Sequence, residues 1–149
     1  MHDLPQQFQD WFATKGWSIH PHQQDMLDRA DAPSLLLIAP TGGGKTLSGF
    51  LPTLIDLADG SHQGMHTLYI SPLKALAADI KRNLTTPVTE MNLPITIEER
   101  TGDTPQTRRK RQRADPPNIF LTTPESLALL TSYDDAHRMF KSPKRVVID

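Results

Sequence analysis

The sequence predicts an α/β fold built on a mostly parallel sheet. Short apolar or β-branched runs alternate with helical stretches along most of the 149 residues. Such alternation is typical of parallel strands joined by right-handed helical crossovers. A glycine-rich turn lies between the first apolar run and the next helical stretch. The sequence contains no internal repeat and no long linker, so we predict one domain with its own core.

The composition is that of an ordinary globular domain. The formal net charge is −1, so any nucleic-acid binding must come from local basic patches rather than from the whole chain. The absence of cysteine excludes disulfides, thiolate zinc sites and cysteine nucleophiles, and suits a cytoplasmic location. No signal-peptide pattern opens the sequence, and no apolar run approaches the roughly 18 residues of a membrane span.

Two helices are predicted before the first strand. Aromatic residues at the spacing of one helical face precede Gly16, which is the expected stop of the first helix. A second short helix is expected to begin near Pro21 and to end before Pro33. We therefore assign residues 1–33 to an N-terminal helical segment and residues 34–149 to the alternating core.

The alternating core supplies the remaining elements in order. Runs with strand character are Leu35–Ile38, Thr67–Ile70, Ile95–Glu98, Ile119–Thr122 and Arg145–Ile148. Stretches with helical character are Lys45–Ala58, Leu73–Leu84, Gln106–Arg113, Glu125–Leu130 and Asp134–Phe140.

The segment APTGGGKT, which follows the first predicted strand, has the composition of a phosphate-binding loop. Consecutive glycines allow backbone angles that side chains forbid, so their N–H groups can surround an anion. The following helix would direct its positive N-terminal end at the same anion. The strict pattern begins with glycine, and here Ala39 stands in that place. The predicted nucleotide-binding residues of the loop are Thr41, Gly42, Gly43, Gly44, Lys45 and Thr46.

Further stretches carry a resemblance to a known family. In order they are GWSIHPHQ, APTGGGKT, LYISPLKALAADI, RTGDTPQTRRKRQR, TTPESLALL and RVVID, which together cover nearly the whole chain. Their order and spacing resemble the N-terminal part of the first RecA-like domain of superfamily 2 DExH-type DNA helicases, in the large-helicase-related group and its ligase-associated branch. The resemblance implies a three-layer P-loop NTPase fold and an ATP-dependent DNA helicase or translocase that moves 3′-to-5′.

The resemblance also implies roles at the nucleotide site. Gln23 matches a glutamine that reads adenine, because an amide can pair with adenine N6 and N7 at once. Asp149 matches the aspartate of an Asp-Glu-x-His motif, which holds Mg²⁺. Lys45 and Asp149 are therefore the candidate catalytic residues, and Thr46 and Asp149 the candidate metal ligands. The implied cofactors are ATP and Mg²⁺.

Two strand–helix junctions are implied to contact the DNA backbone. In SPLKAL, Ser71 is the expected helix cap and Pro72 the expected first-turn residue, with Lys74 beside them. In TTPESL, Thr123 is the expected cap and Pro124 the first helical position. Because strand C-terminal ends share one edge of a parallel sheet, the two junctions are expected to form a track.

The stretch RTGD is implied to be another backbone contact, through Thr101 and Gly102. The basic run Arg108–Arg113 follows it, and the sequence leaves two interpretations open: electrostatic attraction of DNA, or a solvated helix face. The implied partner is single-stranded or tailed duplex DNA. Association with DNA ligase or nuclease repair proteins is implied by the branch alone.

The last residues set a further expectation. In the family a glutamate that activates water follows the position of Asp149, and a later strand inserts between the phosphate-loop strand and the aspartate strand. Neither lies within these 149 residues. We therefore expect an incomplete sheet in which Leu35–Ile38 and Val146–Ile148 do not pair, and a chain that is deficient in hydrolysis by itself.

Two alternative functions remain on sequence grounds. One is a truncated, non-catalytic product that binds nucleotide or nucleic acid. The other is a different P-loop enzyme, such as a GTPase or a small-molecule kinase. A GTPase would need an Asn-Lys-x-Asp stretch for guanine, which the sequence lacks, and a kinase has no use for the repeated SPLKAL and TTPESL junctions.

Overall fold

The computed structural model describes residues 2–40 and 44–149. The helices are α1 (Gln6–Lys15), α2 (Pro21–Asp28), α3 (Lys45–Leu57), α4 (Lys74–Glu90), α5 (Gln106–Ala114), α6 (Pro124–Thr131) and α7 (Ala136–Met139). The strands are β1 (Thr67–Ile70), β2 (Ile97–Arg100), β3 (Ile119–Thr122) and β4 (Arg145–Ile148). Within the described ranges, none of these helices is both long and apolar enough to cross a membrane.

The strands form one sheet in the order β2-β3-β1-β4, and every pair is parallel. In the register, Leu68 of β1 lies opposite Phe120 on one side and Val146 on the other. The prediction of a mostly parallel sheet is confirmed. Since the strands run in one direction, their carboxyl ends meet at one edge of the sheet.

Helices cover both faces of the sheet. Because side chains alternate along a strand, Tyr69 and Ile119 pack on one face while Leu68 and Phe120 pack on the other. The first face forms a core with residues of α1, α3 and α4: Phe8, Trp11, Leu51, Leu54, Ala77 and Leu84. The second face packs against α6 and α7 through Leu130 and Met139. The predicted three-layer α/β fold is confirmed.

Helix ends follow local signals only in part. α1 stops at Gly16, as predicted, because Gly16 adopts the left-handed conformation (φ 68°) that glycine tolerates best. The prediction that the fourth helix ends at Leu84 is wrong, since α4 continues to Glu90. Its last turn is held from α1: the Glu90 carboxylate accepts hydrogen bonds from Trp11 Nε1 and Lys15 Nζ, each at 2.7 Å. Tertiary contacts therefore extend α4 beyond its local signals.

The strand predicted at Ile95–Glu98 lies two residues later, at Ile97–Arg100. Asn118 Oδ1 accepts a hydrogen bond from the Thr96 N–H at 3.0 Å, and pairing with β3 begins directly after this contact. Ile95 is buried in the core but precedes the strand. The apolar run therefore predicted the burial of Ile95 correctly, but it did not predict where the strand begins.

The predicted strand Leu35–Ile38 is not a strand in the structure. The segment joins no described strand, and Leu36 and Ile38 are 86% and 84% exposed. The companion prediction, that this segment does not pair with Val146–Ile148, is confirmed, because β4 pairs only with β1 among the described strands. An apolar run becomes a strand only when a neighbouring strand satisfies its backbone groups.

We predict different rates of amide exchange for two apolar runs of similar composition. Leu35–Ile38 should exchange within the dead time of a hydrogen–deuterium exchange measurement, because no sheet partner protects its N–H groups. Thr67–Ile70 should exchange orders of magnitude more slowly, because it is paired on both sides. Equal protection of Leu36 and Tyr69 would contradict the arrangement of the sheet.

Candidate nucleotide and nucleic-acid sites

A cavity of about 350 Å³ opens between α3, β4 and the segment 33–37. Lys45 and Thr46 line it from the first turn of α3, and Asp149 lines it from the end of β4. Among the described residues that line the cavity, Asp149 is the sole carboxylate. The fold thus brings Asp149 to the same cavity as Lys45 and Thr46, about a hundred positions earlier in the sequence, and all three are predicted to hold ATP or Mg²⁺.

The turn before α3 requires glycine at its last position. Gly44 caps α3 in the left-handed conformation (φ 75°), which side chains adopt only with strain. A Cβ at Gly44 would also lie 2.9 Å from Gln23 Nε2, so the Gln23 amide would have to shift. The Ser48 hydroxyl donates to the Gly44 carbonyl at 2.8 Å and holds the first turn. The predicted phosphate-binding residues Thr41, Gly42 and Gly43 lie outside the described residues.

Gln23 packs against this turn. Its side chain is buried, and Oε1 accepts a hydrogen bond from the His20 N–H at 2.9 Å, at the start of α2. The amide is thereby fixed in orientation beside Gly44. Gln23 is not among the described residues that line the nucleotide cavity, and the reading of adenine by Gln23 stays a prediction.

Asp149 is held in place by β1. Its N–H donates to the Ile70 carbonyl at 3.0 Å, which extends the ladder one residue past β4. The Tyr69 hydroxyl donates to Asp149 Oδ2 at 2.9 Å. Burial, and then the Asp149 carboxylate, raise the pKa of Tyr69, so the phenol remains a protonated donor. Sequence reasoning missed Tyr69, because the sequence did not show that its strand lies beside the strand of Asp149.

The predicted DNA-contact junctions meet in a second groove of about 530 Å³. Its lining residues come from the ends of β1, β2 and β3 and from α4, α5 and α6: Pro72, Leu73, Lys74, Arg100, Thr101, Gly102, Arg109, Thr123, Glu125, Ser126 and Leu129. We call this surface the junction groove. It arises because three adjacent parallel strands end at one edge of the sheet.

Two residues of the predicted contact set do not line the junction groove. Ser71 is fully buried, and its N–H donates to the Thr122 carbonyl at 3.1 Å, so it ties β1 to β3. Pro124 is exposed at the start of α6 but is not among the lining residues. The structure therefore assigns Ser71 a place inside the sheet edge rather than on the groove surface.

Of the two predicted helix starts, the one at Thr123 is correct and the one at Ser71 is wrong. Thr123 caps α6 as predicted, since its Oγ1 accepts a hydrogen bond from the Ser126 N–H at 3.4 Å, and Pro124 is the first helical residue. The predictions for Ser71 and Pro72 are wrong. α4 begins at Lys74, Leu73 occupies its cap without a side-chain hydrogen bond, and Ser71 Oγ accepts from the Leu73 N–H at 3.3 Å.

The loop after β2 is tied down on both sides. The Thr101 N–H donates to Thr104 Oγ1 at 3.0 Å. Arg109 donates to the carbonyls of Thr101 and Gly102 at 3.1 and 2.8 Å. Lys74 Nζ lies 2.7 Å from Asp103 Oδ2, although both side chains are well exposed and the pair contributes little stability. Thr101 and Gly102 thus present a fixed backbone to the junction groove.

The basic run Arg108–Arg113 is largely engaged within the fold. Arg111 pairs with Glu98. Arg113 lies 2.6 Å from Asp135, with its guanidinium 3.7 Å from the centre of the Tyr133 ring. Arg111 and Arg113 therefore follow neither expectation, since they pair with acids of the fold instead of attracting DNA or forming a merely solvated face. The sequence did not reveal this, because the pairing acids lie on other elements.

A three-layer parallel fold, in which an apolar segment precedes a glycine-capped helix and a carboxylate follows β4 at the edge of the described sheet, is typical of the class of P-loop NTPase domains. A sequence model of the DEAD/DEAH box helicases matches residues 20–149. The chain belongs to the DEAD/DEAH box helicase family.

Individual relatives agree with this membership. The chain is 41% identical to the Lhr helicase of Mycolicibacterium smegmatis, over 94% of this chain and 10% of that protein. It is 33% identical to the ATP-dependent helicase Lhr-Core of Methanocaldococcus jannaschii, over 98% of this chain and 19% of that protein. The chain thus spans about a tenth to a fifth of the length of these curated relatives.

Solved structures agree as well. The structure of Mycobacterium smegmatis helicase Lhr bound to ssDNA and AMP-PNP matches with a TM-score of 0.85 and 41% identity, over 97% of this chain and 20% of that chain. The helicase MrfA bound to DNA and AMPPNP matches with a TM-score of 0.85 and 29% identity, over 98% and 21%. The resemblance to large-helicase-related superfamily 2 helicases and their RecA-like fold is confirmed. The ligase-associated branch stays a prediction.

We predict that Tyr69→Phe changes how stability depends on alkaline pH. Folding raises the Tyr69 pKa, so the stability linked to its proton is fully present below the unfolded value of about 10 and is lost as pH rises above it. The free energy of unfolding should therefore fall less steeply above about pH 10 in Tyr69→Phe than in the unaltered chain. At neutral pH the variant should lose about 0.5–1.5 kcal/mol, the usual cost of one hydrogen bond.

Urea unfolding across the alkaline range measures this difference. Tyr133→Phe is the matched control, because Tyr133 is the only other tyrosine of the chain. A parallel loss of slope in both variants would show that the effect does not come from the contact between Tyr69 and Asp149.

Proposed function

We propose that this chain is the N-terminal portion of the first RecA-like domain of an ATP-dependent DNA helicase or translocase. The main observation behind this proposal is that the predicted nucleotide-binding residues and the predicted DNA-contact junctions lie at the same edge of the sheet. Lys45, Thr46 and Asp149 line one cavity. The junctions expected to contact DNA line the neighbouring groove. The solved relatives with AMP-PNP and DNA bound support this assignment.

At the nucleotide site, Lys45 would neutralise the outer phosphates as a point charge, while the loop before it would donate backbone N–H groups. Gln23 would hold the adenine. The packing of Gln23 against Gly44, the residue before Lys45, supports a place for Gln23 near the nucleotide, although Gln23 does not itself line the cavity. We extend the ATP-binding role to Thr41, Gly42 and Gly43 on their place in the loop.

The residues of the cavity also fit Mg²⁺. Thr46 and Asp149 offer one hydroxyl and one carboxylate, and Mg²⁺ in phosphate sites takes one or two protein ligands and completes its shell with phosphate oxygens and water. Among the described residues no cluster of three or more acidic or histidine side chains offers a competing metal cage. When bound, Mg²⁺ would neutralise charge on the phosphates. Tyr69 would orient the Asp149 carboxylate through its hydrogen bond.

In the junction groove, the DNA backbone would be the ligand. The N-terminal ends of α4 and α6 face this surface, and helix N-termini favour phosphate. Pro72, Lys74, Thr101, Gly102 and Thr123 are the proposed contacts that line the groove. Pro124 is proposed as a further contact from the exposed start of α6, and the buried Ser71 shapes the corner from behind. Movement in the 3′-to-5′ direction, single-stranded or tailed duplex substrates, and association with ligase or nuclease proteins follow from the family resemblance.

A second candidate function is binding without efficient turnover. The described residues of the nucleotide cavity include Asp149 but no other carboxylate that could activate water. Phosphoryl transfer depends on positioning and charge stabilisation, and loss of a positioning group costs orders of magnitude in rate. We therefore expect the 149-residue polypeptide to bind ATP and to hydrolyse it poorly.

We predict that Lys45→Ala weakens binding of a fluorescent ATP analogue with Mg²⁺ by at least about tenfold, or roughly 1.4 kcal/mol. The physical reason is the loss of the one cation at the start of α3. Lys144→Ala is the matched control, because Lys144 lines the same cavity without a predicted role. Unchanged affinity in Lys45→Ala would sink the nucleotide assignment.

DNA-stimulated ATPase activity separates the two candidate functions. We expect the unaltered chain to show at most a trace rate. A rate that requires single-stranded DNA and disappears in Lys45→Ala would establish turnover by this polypeptide and would overturn the expectation of inefficiency.

A further inference from the structure

Arg100, the last residue of β2, is a buried cation that makes no ion pair with the described acidic side chains. Its side chain is 1% exposed, and it is the largest fully buried side chain in the described chain. Neither Nη1 nor Nη2 has a hydrogen-bond partner among the described residues. Burying an unpaired guanidinium is costly, and folded proteins retain such a group only where something compensates it.

The neighbouring charges do not compensate Arg100. Burial lowers the pKa of Arg100, the nearby Tyr133 hydroxyl partly opposes this as a hydrogen-bonding group, and Arg109 and Arg113 lower the pKa further. The Nε atoms of Arg109 and Arg113 are also buried without a described hydrogen-bond partner. Three guanidinium groups thus lie together with unused donors.

The acids that surround this cluster are already engaged or stand apart from it. Asp135 accepts from Arg113 at 2.6 Å, Asp103 pairs with Lys74 at 2.7 Å, and Glu98 pairs with Arg111. Glu125, which lines the junction groove on α6, is exposed. The buried positive charge at the floor of the groove is therefore not neutralised by the described chain.

We propose that Arg100 binds a phosphate group of a nucleic-acid strand lying in the junction groove. The inference rests on the proposed function of that groove and names the residue that would grip the strand. Arg100 lines the groove directly, between Thr101 and the start of α6. A guanidinium presents two parallel N–H donors that match two phosphate oxygens, so one phosphate satisfies both Nη1 and Nη2.

The burial of Arg100 shapes this contact. Water does not reach Nη1 or Nη2, so a phosphate can bind only after side chains of the groove wall shift. Once formed, the contact lies in a medium of low polarity, where a charged hydrogen bond is stronger than at the surface. Arg109 fixes the adjacent loop through the Thr101 and Gly102 carbonyls, so the loop keeps its position while the strand enters.

The test measures binding of a fluorescent single-stranded oligonucleotide by anisotropy over a range of salt concentrations. Arg100→Gln should weaken binding about tenfold and reduce the magnitude of the slope of log K against log salt by about 0.7, the value for one phosphate contact on a single strand. Arg111→Gln is the matched control, because Arg111 is exposed, pairs with Glu98 and does not line the groove. Its slope should stay within about 0.2 of the unaltered chain.

Arg100→Lys separates a phosphate contact from a purely structural arginine. A lysine keeps the charge but loses the paired donors, so the salt slope should persist while the affinity falls severalfold. Thermal melting provides a second readout: inorganic phosphate should raise the melting temperature of the unaltered chain and not that of Arg100→Gln. Removing an unpaired buried charge should leave the melting temperature without phosphate equal or higher.

The outcomes distinguish this inference from the function on which it rests. If the unaltered chain does not bind the oligonucleotide, the proposed DNA groove and the Arg100 contact both fail. If it binds and Arg100→Gln keeps the full salt slope, only the Arg100 contact fails. If Arg100→Gln does not fold and Arg100→Lys keeps full affinity, Arg100 is a structural residue and the inference is overturned.

Discussion

The pairing of β1 on both of its edges is the constraint on which the rest of the structure depends. Thr67–Ile70 pairs with Ile119–Thr122 on one side and with Arg145–Ile148 on the other, residue by residue and in parallel. Both ladders continue one step past the strands, through the N–H groups of Ser71 and Asp149. The positions of the aspartate and of the first DNA-contact junction are therefore fixed by the same short strand.

This arrangement places the two candidate sites a few residues apart on one element. Tyr69 reaches the nucleotide cavity through its hydroxyl and its contact with Asp149. Pro72 and Lys74, just beyond the end of β1, line the junction groove. Ser71 is buried between them. Since packed cores transmit displacement rather than absorb it, a shift at the end of β1 would move both surfaces together.

The sequence revealed the features that local chemistry determines. The alternation of strands and helices, the glycine stop of α1 and the Thr123 cap depend on neighbours within a few residues. The sequence did not reveal the element boundaries and strand pairings that depend on contacts between residues far apart in the chain. Glu90 extends α4 because α1 lies beside it, and Asn118 sets the start of β2. Leu35–Ile38 has the composition of a strand, but no described strand pairs with it, and composition does not reveal a partner.

The electrostatics of the junction groove also depend on contacts between residues that are far apart in the sequence. The sequence shows a basic run and suggests a surface that attracts DNA, but the fold pairs Arg111 and Arg113 with Glu98 and Asp135, 13 and 22 residues away. Paired surface charges attract a strand weakly, because each anion cancels much of the field of its cation. Arg100 is one cation among many in the sequence and the one that the fold buries with both terminal nitrogens unpaired. The capacity of the groove to hold a phosphate therefore depends less on the number of cations than on which of them the fold leaves without a partner.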